Sequence, residues 1–464
     1  MTQSNEVRVT GPVPHPSPDP DPAPSRGPSP SGSPAPSTGS GRAPSQGRSP
    51  CPSPSRLPGR FPSRFREAEA RGRRIARPLF LFTDIARDVD EALMERLGAG
   101  LLRCDELGAA LARAMGLPAG DPDRVTHSLI AGALRAAPDV PGGLPPALAE
   151  FMSEATAVPD WVEWDRIERG AAVFRSLGHN SGDILALLSL VGGYRFGGPA
   201  DLLVLTGGMG GTRTLRRLGE TTKWSHAVTR PGGLRPGAEG WRLTLHVRAM
   251  HALVNARFAP RWDSARWGLP VNEADQAATL GLFDATVLVG CRGLGVRLTR
   301  RQRGDFMHLW RYVGHLMGVA PEWLTDDENV RHRWNHHILL SAAGQTQAGR
   351  DLARLTMDAQ GRLAHGHARP AVERLHQRYE YARRMSLLTV FMGPSGMRDL
   401  GLRPRLPWGL ALSVTRNTFR YRLLGALPGG RERIERHGAR AQDRDLAAMF
   451  PDGRAAVARL PETG

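Results

Sequence analysis

WRLTLHVRAMHALVNARF, residues 241–258, is the stretch on which the fold class turns. At about 100° per residue, Val247, His251, Val254 and Phe258 fall within about 60° of one another on a helix. One imidazole therefore sits inside an apolar stripe. His246 lies about 140° from His251, so both rings cannot face one metal ion from this element. A lone histidine in such a stripe is usually a core residue with one satisfied hydrogen bond. It is also the way a neutral imidazole holds haem iron inside an apolar pocket.

The preceding helical phrase, LRRLGETTKW at residues 215–224, contains the single lysine of an arginine-rich chain. Arg217, Glu220, Thr221 and Trp224 share a face about 100° wide, with Lys223 at its edge. On a solvated helix this is an Arg217–Glu220 pair worth a few tenths of a kcal/mol. Facing a pocket, it is a guanidinium and a hydroxyl that can stabilise negative charge on oxygen, beside a carboxylate that can take a proton.

The same reading extends along the chain. DIARDVDEALMERLGAGLLRCDELGAALARAMG, TRRQRGDFMHLWRYVGHLMG and AVERLHQRYEYARRMSLLTVF carry apolar residues at helical spacing. GDILALLSLVGGYRFGGPADLLVLTG is ambiguous by period and is read as two buried helical pieces broken at GGYRFGGP. The expectation is all-α: a single large helical domain over residues 61–445. Residues 1–60, with 16 of the 38 prolines and few apolar side chains, are expected to be a disordered Pro/Ser-rich tail, and 446–464 a frayed end.

Composition removes several function classes. No stretch approaches the roughly 20 apolar residues of a membrane span. The start, MTQSNEVRVTG, lacks a basic region followed by an apolar run, so a cytoplasmic location is expected. Cys51, Cys104 and Cys291 are read as neither a disulfide framework nor a zinc ribbon, and CxxCH is missing, so any haem is non-covalent. The formal charge of +17 is spread as arginine without a nucleic-acid-binding motif, so no specific nucleic-acid partner is expected. Glu373–His376 is the one Glu-x-x-His pair, with Asp305–His308 a near miss, as a rival non-haem iron site. A helical binding protein with a basic surface is the other alternative. Oligomeric state is not encoded in any motif.

ETTKW, followed by RAMHALV and then FMHLWRYVGHLMGVAPEWL, resembles the haem-dependent oxygenases that include bacterial latex-clearing proteins and the MpaB-type oxygenase. The matching pieces are the R-x-x-x-T pattern from Arg217 to Thr221, the R-x-x-H-A phrase from Arg248 to Ala252, and the WRYVGHLMG helix end. The resemblance implies a mostly helical fold around one haem b and a reaction that cleaves a carbon–carbon double bond of an apolar, isoprenoid-like substrate with O2. It casts His251 as the iron ligand, Arg248 beside it in the cofactor-binding phrase, and Arg217 and Thr221 on the distal side. Asp201 or Glu220 becomes the catalytic base. The family places a lysine immediately before the threonine, whereas Glu220 stands there in this chain, and Lys223 is expected to be incidental.

Overall fold

The computed structural model describes residues 51–52, 59–207, 212–363, 366 and 368–450. The expected disorder of residues 1–60 and the expected frayed end fall almost wholly outside these residues. Every regular element among them is helical, and no strand is present. The all-α expectation from periodicity is therefore met.

Local signals set the helix starts. Asp90, Thr126, Asn272, Asp327 and Thr346 each accept a backbone N–H with the side chain at a helix N-terminus. Thr299 and Gln302 form a reciprocal capping box at the head of helix Arg300–Leu316. The ambiguous stretch becomes helix His179–Asp183, a π-helical segment Ile184–Val191, and helix Pro199–Leu205, with the chain broken between them near Gly198. The π-helical winding itself carries no sequence signal.

Helix Arg300–Leu316 runs through the core. It buries Phe306, Met307, Leu309, Trp310, Tyr312, Val313 and Leu316, and it packs against helix Trp164–Leu177. A Cβ on Gly170 would lie 2.3 Å from the Asp305 carbonyl oxygen, so only glycine allows that approach. Around Trp310 the Phe283 ring stacks at 5.1 Å, and Trp224 lies 5.9 Å away. The apolar cluster is continuous from Leu93 to Leu400. Two ion pairs are buried within it: Arg331 with Asp284 at 2.8 Å, and Arg383 with Asp183 at 2.7 Å.

Two features depart from the sequence reading. Cys51 and Cys104 form a disulfide, so the three cysteines do include a bridge. A sequence separation of 53 residues gives no hint of it. The last helix, Gly430–Met449, continues past the expected end of the domain at 445. No helix among the described residues is long and apolar enough to cross a membrane.

Candidate active site

Two consecutive helices build the site: Thr212–Thr229, which carries Arg217, and Glu239–Phe258, which carries His251. The turn between them is tight. Gly232 and Gly237 adopt φ values of 68° and 81°, and Trp241 N–H donates to the Gly233 carbonyl at 2.9 Å. The helices then pack side by side in opposite directions. The Trp224 indole N–H donates to the Thr244 hydroxyl at 3.0 Å and fixes their register. Arg217 is seven residues before Trp224 and His251 is seven after Thr244. Seven residues are close to two helical turns, so the two residues come level on facing sides.

The electrostatics agree with that placement. His251 is enclosed, and its basicity is pushed down to about 4 by burial, with Asp105 acting upward and the Arg217 charge downward. The ring is therefore neutral at ordinary pH. Its Nδ1 is buried without a hydrogen-bond partner, yet the residue retains accessible surface. Val247, Val254 and Phe258 behave the same way, half-buried, while Arg248, Ala249, Ala252 and Leu253 are fully buried. The apolar stripe read from the sequence is thus half-buried beside fully packed neighbours.

Tyr194, in the GGYRFGGP break, reaches the same region. Burial pushes its phenol up to about 12, and the Thr356 hydroxyl and the Arg217 charge act in the other direction. Arg217 forms no ion pair with a carboxylate among the described residues. Thr221, one turn along from it, is exposed.

The remaining expected site residues are engaged elsewhere. Arg248 is almost fully buried and donates to Asp105 at 2.6 and 2.8 Å and to Glu154 at 2.7 Å. Its guanidinium also lies 5.1 Å from the Phe151 ring centroid. Arg248 thus anchors the His251 helix to its neighbours. Asp201 accepts from the Gly198 N–H at 3.0 Å and from the Thr346 hydroxyl at 3.1 Å, which caps its own helix. Glu220 pairs with Arg216 at 3.1 Å, four residues back, instead of Arg217. The Lys223 ammonium lies 3.4 Å from the Glu239 carboxylate at the head of the His251 helix. It braces the hairpin near its turn, away from the Arg217 level.

The rival metal site does not assemble. Asp305 is held by Arg169 at 2.7 Å, and His308 Nε2 accepts the Glu163 N–H at 3.0 Å. No group of three or more His, Cys, Asp or Glu among the described residues could hold a metal ion. A single axial imidazole is a different arrangement and needs no such group. Sequence reasoning missed Asp105, Glu154, Tyr194 and Thr356. Asp105 reads only as a helix-start residue, and Tyr194 only as part of a chain break.

Residues 179–424 match the family described as ER-bound oxygenase mpaB/B'/Rubber oxygenase, catalytic domain. The chain belongs to this family. The matched span contains both site helices, while Asp105 and Glu154 lie outside it. A rubber oxygenase from Streptomyces sp. (strain K30) is 23% identical over 237 residues, which is 50% of this chain and 58% of that protein. The chain thus covers less than two thirds of that relative's length. A solved structure of latex clearing protein in the closed state superposes with a TM-score of 0.58 at 20% identity, covering 74% of this chain and 90% of the other. That likeness is one of fold, and it places this member of the family among helical proteins of the same architecture.

Proposed function

We propose that the protein is a haem b-dependent oxygenase that cleaves a carbon–carbon double bond of an apolar, isoprenoid-like substrate. The observation that carries this reading is His251: an enclosed, neutral imidazole with an unpartnered ring nitrogen, set in an apolar wall and level with Arg217. These residues fit a planar apolar group held by one imidazole. Family membership supplies the reaction class. A haem held there would supply the redox chemistry for O2 that side chains lack.

His251 would hold the group, and the Arg248–Asp105–Glu154 cluster keeps its helix in place. Arg217, with no carboxylate partner among the described residues, donates hydrogen bonds to negative charge developing on oxygen. The half-buried apolar residues Val247, Val254 and Phe258 admit hydrocarbon and exclude water. Glu220 is the better placed of the two proposed bases, because it shares a helix with Arg217 and has one partner among the described residues, whereas Asp201 has two. Both atoms of O2 end in the products, one on each new carbonyl, so no outside reductant is needed.

The test is incubation of the purified protein with cis-1,4-polyisoprene and with short unsaturated isoprenoids under O2. The reading predicts carbonyl-ended fragments in proportion to oxygen consumed. Oxygen uptake without chain cleavage contradicts the proposed reaction.

A further inference from the structure

Residues 400–430 contain five arginines and no aspartate or glutamate. Helix Trp408–Thr418 and the π-helical turn Phe419–Leu423 that continues it bury Gly409, Ser413 and Asn417 on one side. Their other side exposes Trp408, Leu412, Phe419 and Leu423, the last two 54% and 60% exposed. The four-residue step from Phe419 to Leu423 matches the wider π turn, so the stripe stays straight. Leu406, 81% exposed between two prolines, extends it at one end, and Leu424 and Leu427 at the other.

A second stripe lies alongside. The long helix Pro370–Asp399 exposes Val372, Leu375 and Tyr379 at three- and four-residue spacing. The Tyr379 ring meets the Trp408 ring at 5.7 Å, which joins the two stripes into one apolar face. On its flank is a cleft of about 310 Å³ lined by Arg362, Arg374 and Arg378 together with Asp358, Gln377 and Tyr381. None of the three guanidinium groups forms an ion pair with a carboxylate among the described residues. Exposed Arg403, Arg405, Arg416 and Arg422 continue the positive rim.

A face this apolar is a contact surface. Its charge decides what it contacts. A second copy would set one arginine rim against another. The chain's own Pro/Ser-rich tail has few apolar side chains to cover leucines and aromatics. Aromatic and aliphatic residues bordered by exposed arginines match the boundary between headgroups and acyl chains.

We propose that this face docks the protein on an anionic phospholipid surface, with the Trp408–Leu423 stripe seated among acyl chains and the cleft of Arg362, Arg374 and Arg378 receiving phosphate headgroups. Docking of this kind presents the molecule to apolar compounds dissolved in the lipid. It is independent of whether His251 carries a haem.

The experiment is flotation of the full-length protein with vesicles of phosphatidylcholine alone and of a phosphatidylcholine–phosphatidylglycerol mixture. Strong flotation with the anionic mixture and weak flotation with phosphatidylcholine is expected. Arg374→Gln with Arg378→Gln should weaken binding to the anionic vesicles about 25-fold, roughly fivefold per arginine. Phe419→Glu with Leu423→Glu should weaken it at least tenfold, with the helical circular dichroism unchanged. The arginine pair is exposed and has no carboxylate partner among the described residues, so it carries the test even if the stripe variant fails to fold. No flotation of the wild-type protein, or equal flotation with both vesicle types, overturns the proposal. So does a dimer that the stripe variant dissolves while the wild-type protein stays off vesicles, which would make a second copy the occupant.

Discussion

The Trp224 indole donates to the Thr244 hydroxyl at 3.0 Å, and this one bond sets Arg217 opposite His251. Trp224→Phe keeps the ring packed on Phe283 and removes the donor. We expect a loss of about 1 kcal/mol in stability by urea denaturation. Haem retention should fall with it, because the register of the hairpin is what aligns the two residues. Unchanged stability would mean that the apolar packing around Trp310 fixes the register alone.

Arg217→Ala separates holding the cofactor from using it. The variant is expected to keep its haem absorption and to lose roughly 100-fold or more in turnover, the scale seen when a charge-stabilising donor is removed. Loss of haem in step with activity would instead give Arg217 a binding role.

The Arg248 cluster supports the site from behind. Asp105→Ala leaves a buried guanidinium with only Glu154 as a carboxylate partner. A destabilisation of about 3–5 kcal/mol is expected, visible as a lower Tm. An Asp105→Ala protein as stable as the parent contradicts the anchoring role given to Arg248.

Acid sensitivity has a definite sign. Burial pushes His226 and His336 down to about 4 in the folded protein. As pH falls below the unfolded value of about 6.5, the unfolded chain takes up protons that the folded chain refuses. Stability is therefore full above about pH 6.5 and declines toward pH 4, by up to about 3 kcal/mol for each histidine. Urea midpoints at pH 7 and pH 5 read the effect, and His226→Gln should flatten the slope.

Thiol counting checks the disulfide. Under denaturing, non-reducing conditions one thiol, Cys291, should react with an alkylating agent, and three should react after reduction. A bond of this kind persists under oxidising conditions. Three reactive thiols in freshly purified, unreduced protein would contradict the bridge.

The helical architecture was legible because period and punctuation agree over long stretches. The levelling of Arg217 with His251 needed the Trp224–Thr244 contact, from which each lies seven residues away. What could not be read depends on distant contacts. Asp105 and Arg248 are 143 residues apart, and nothing local marks their pairing. Glu220 turned to Arg216 and not Arg217, a choice between neighbours on one helix that periodicity cannot make. Lys223, conspicuous as the only lysine, serves a pairing with Glu239 that any long cation could make.

The absorption spectrum of the purified protein, with a pyridine haemochrome assay, tests the central claim most directly. We expect a Soret band and a b-type haemochrome near one haem per chain, both lost in His251→Ala while the helical circular dichroism persists. A wild-type protein that stays colourless after haem is supplied, or a His251→Ala variant with undiminished haem, contradicts it.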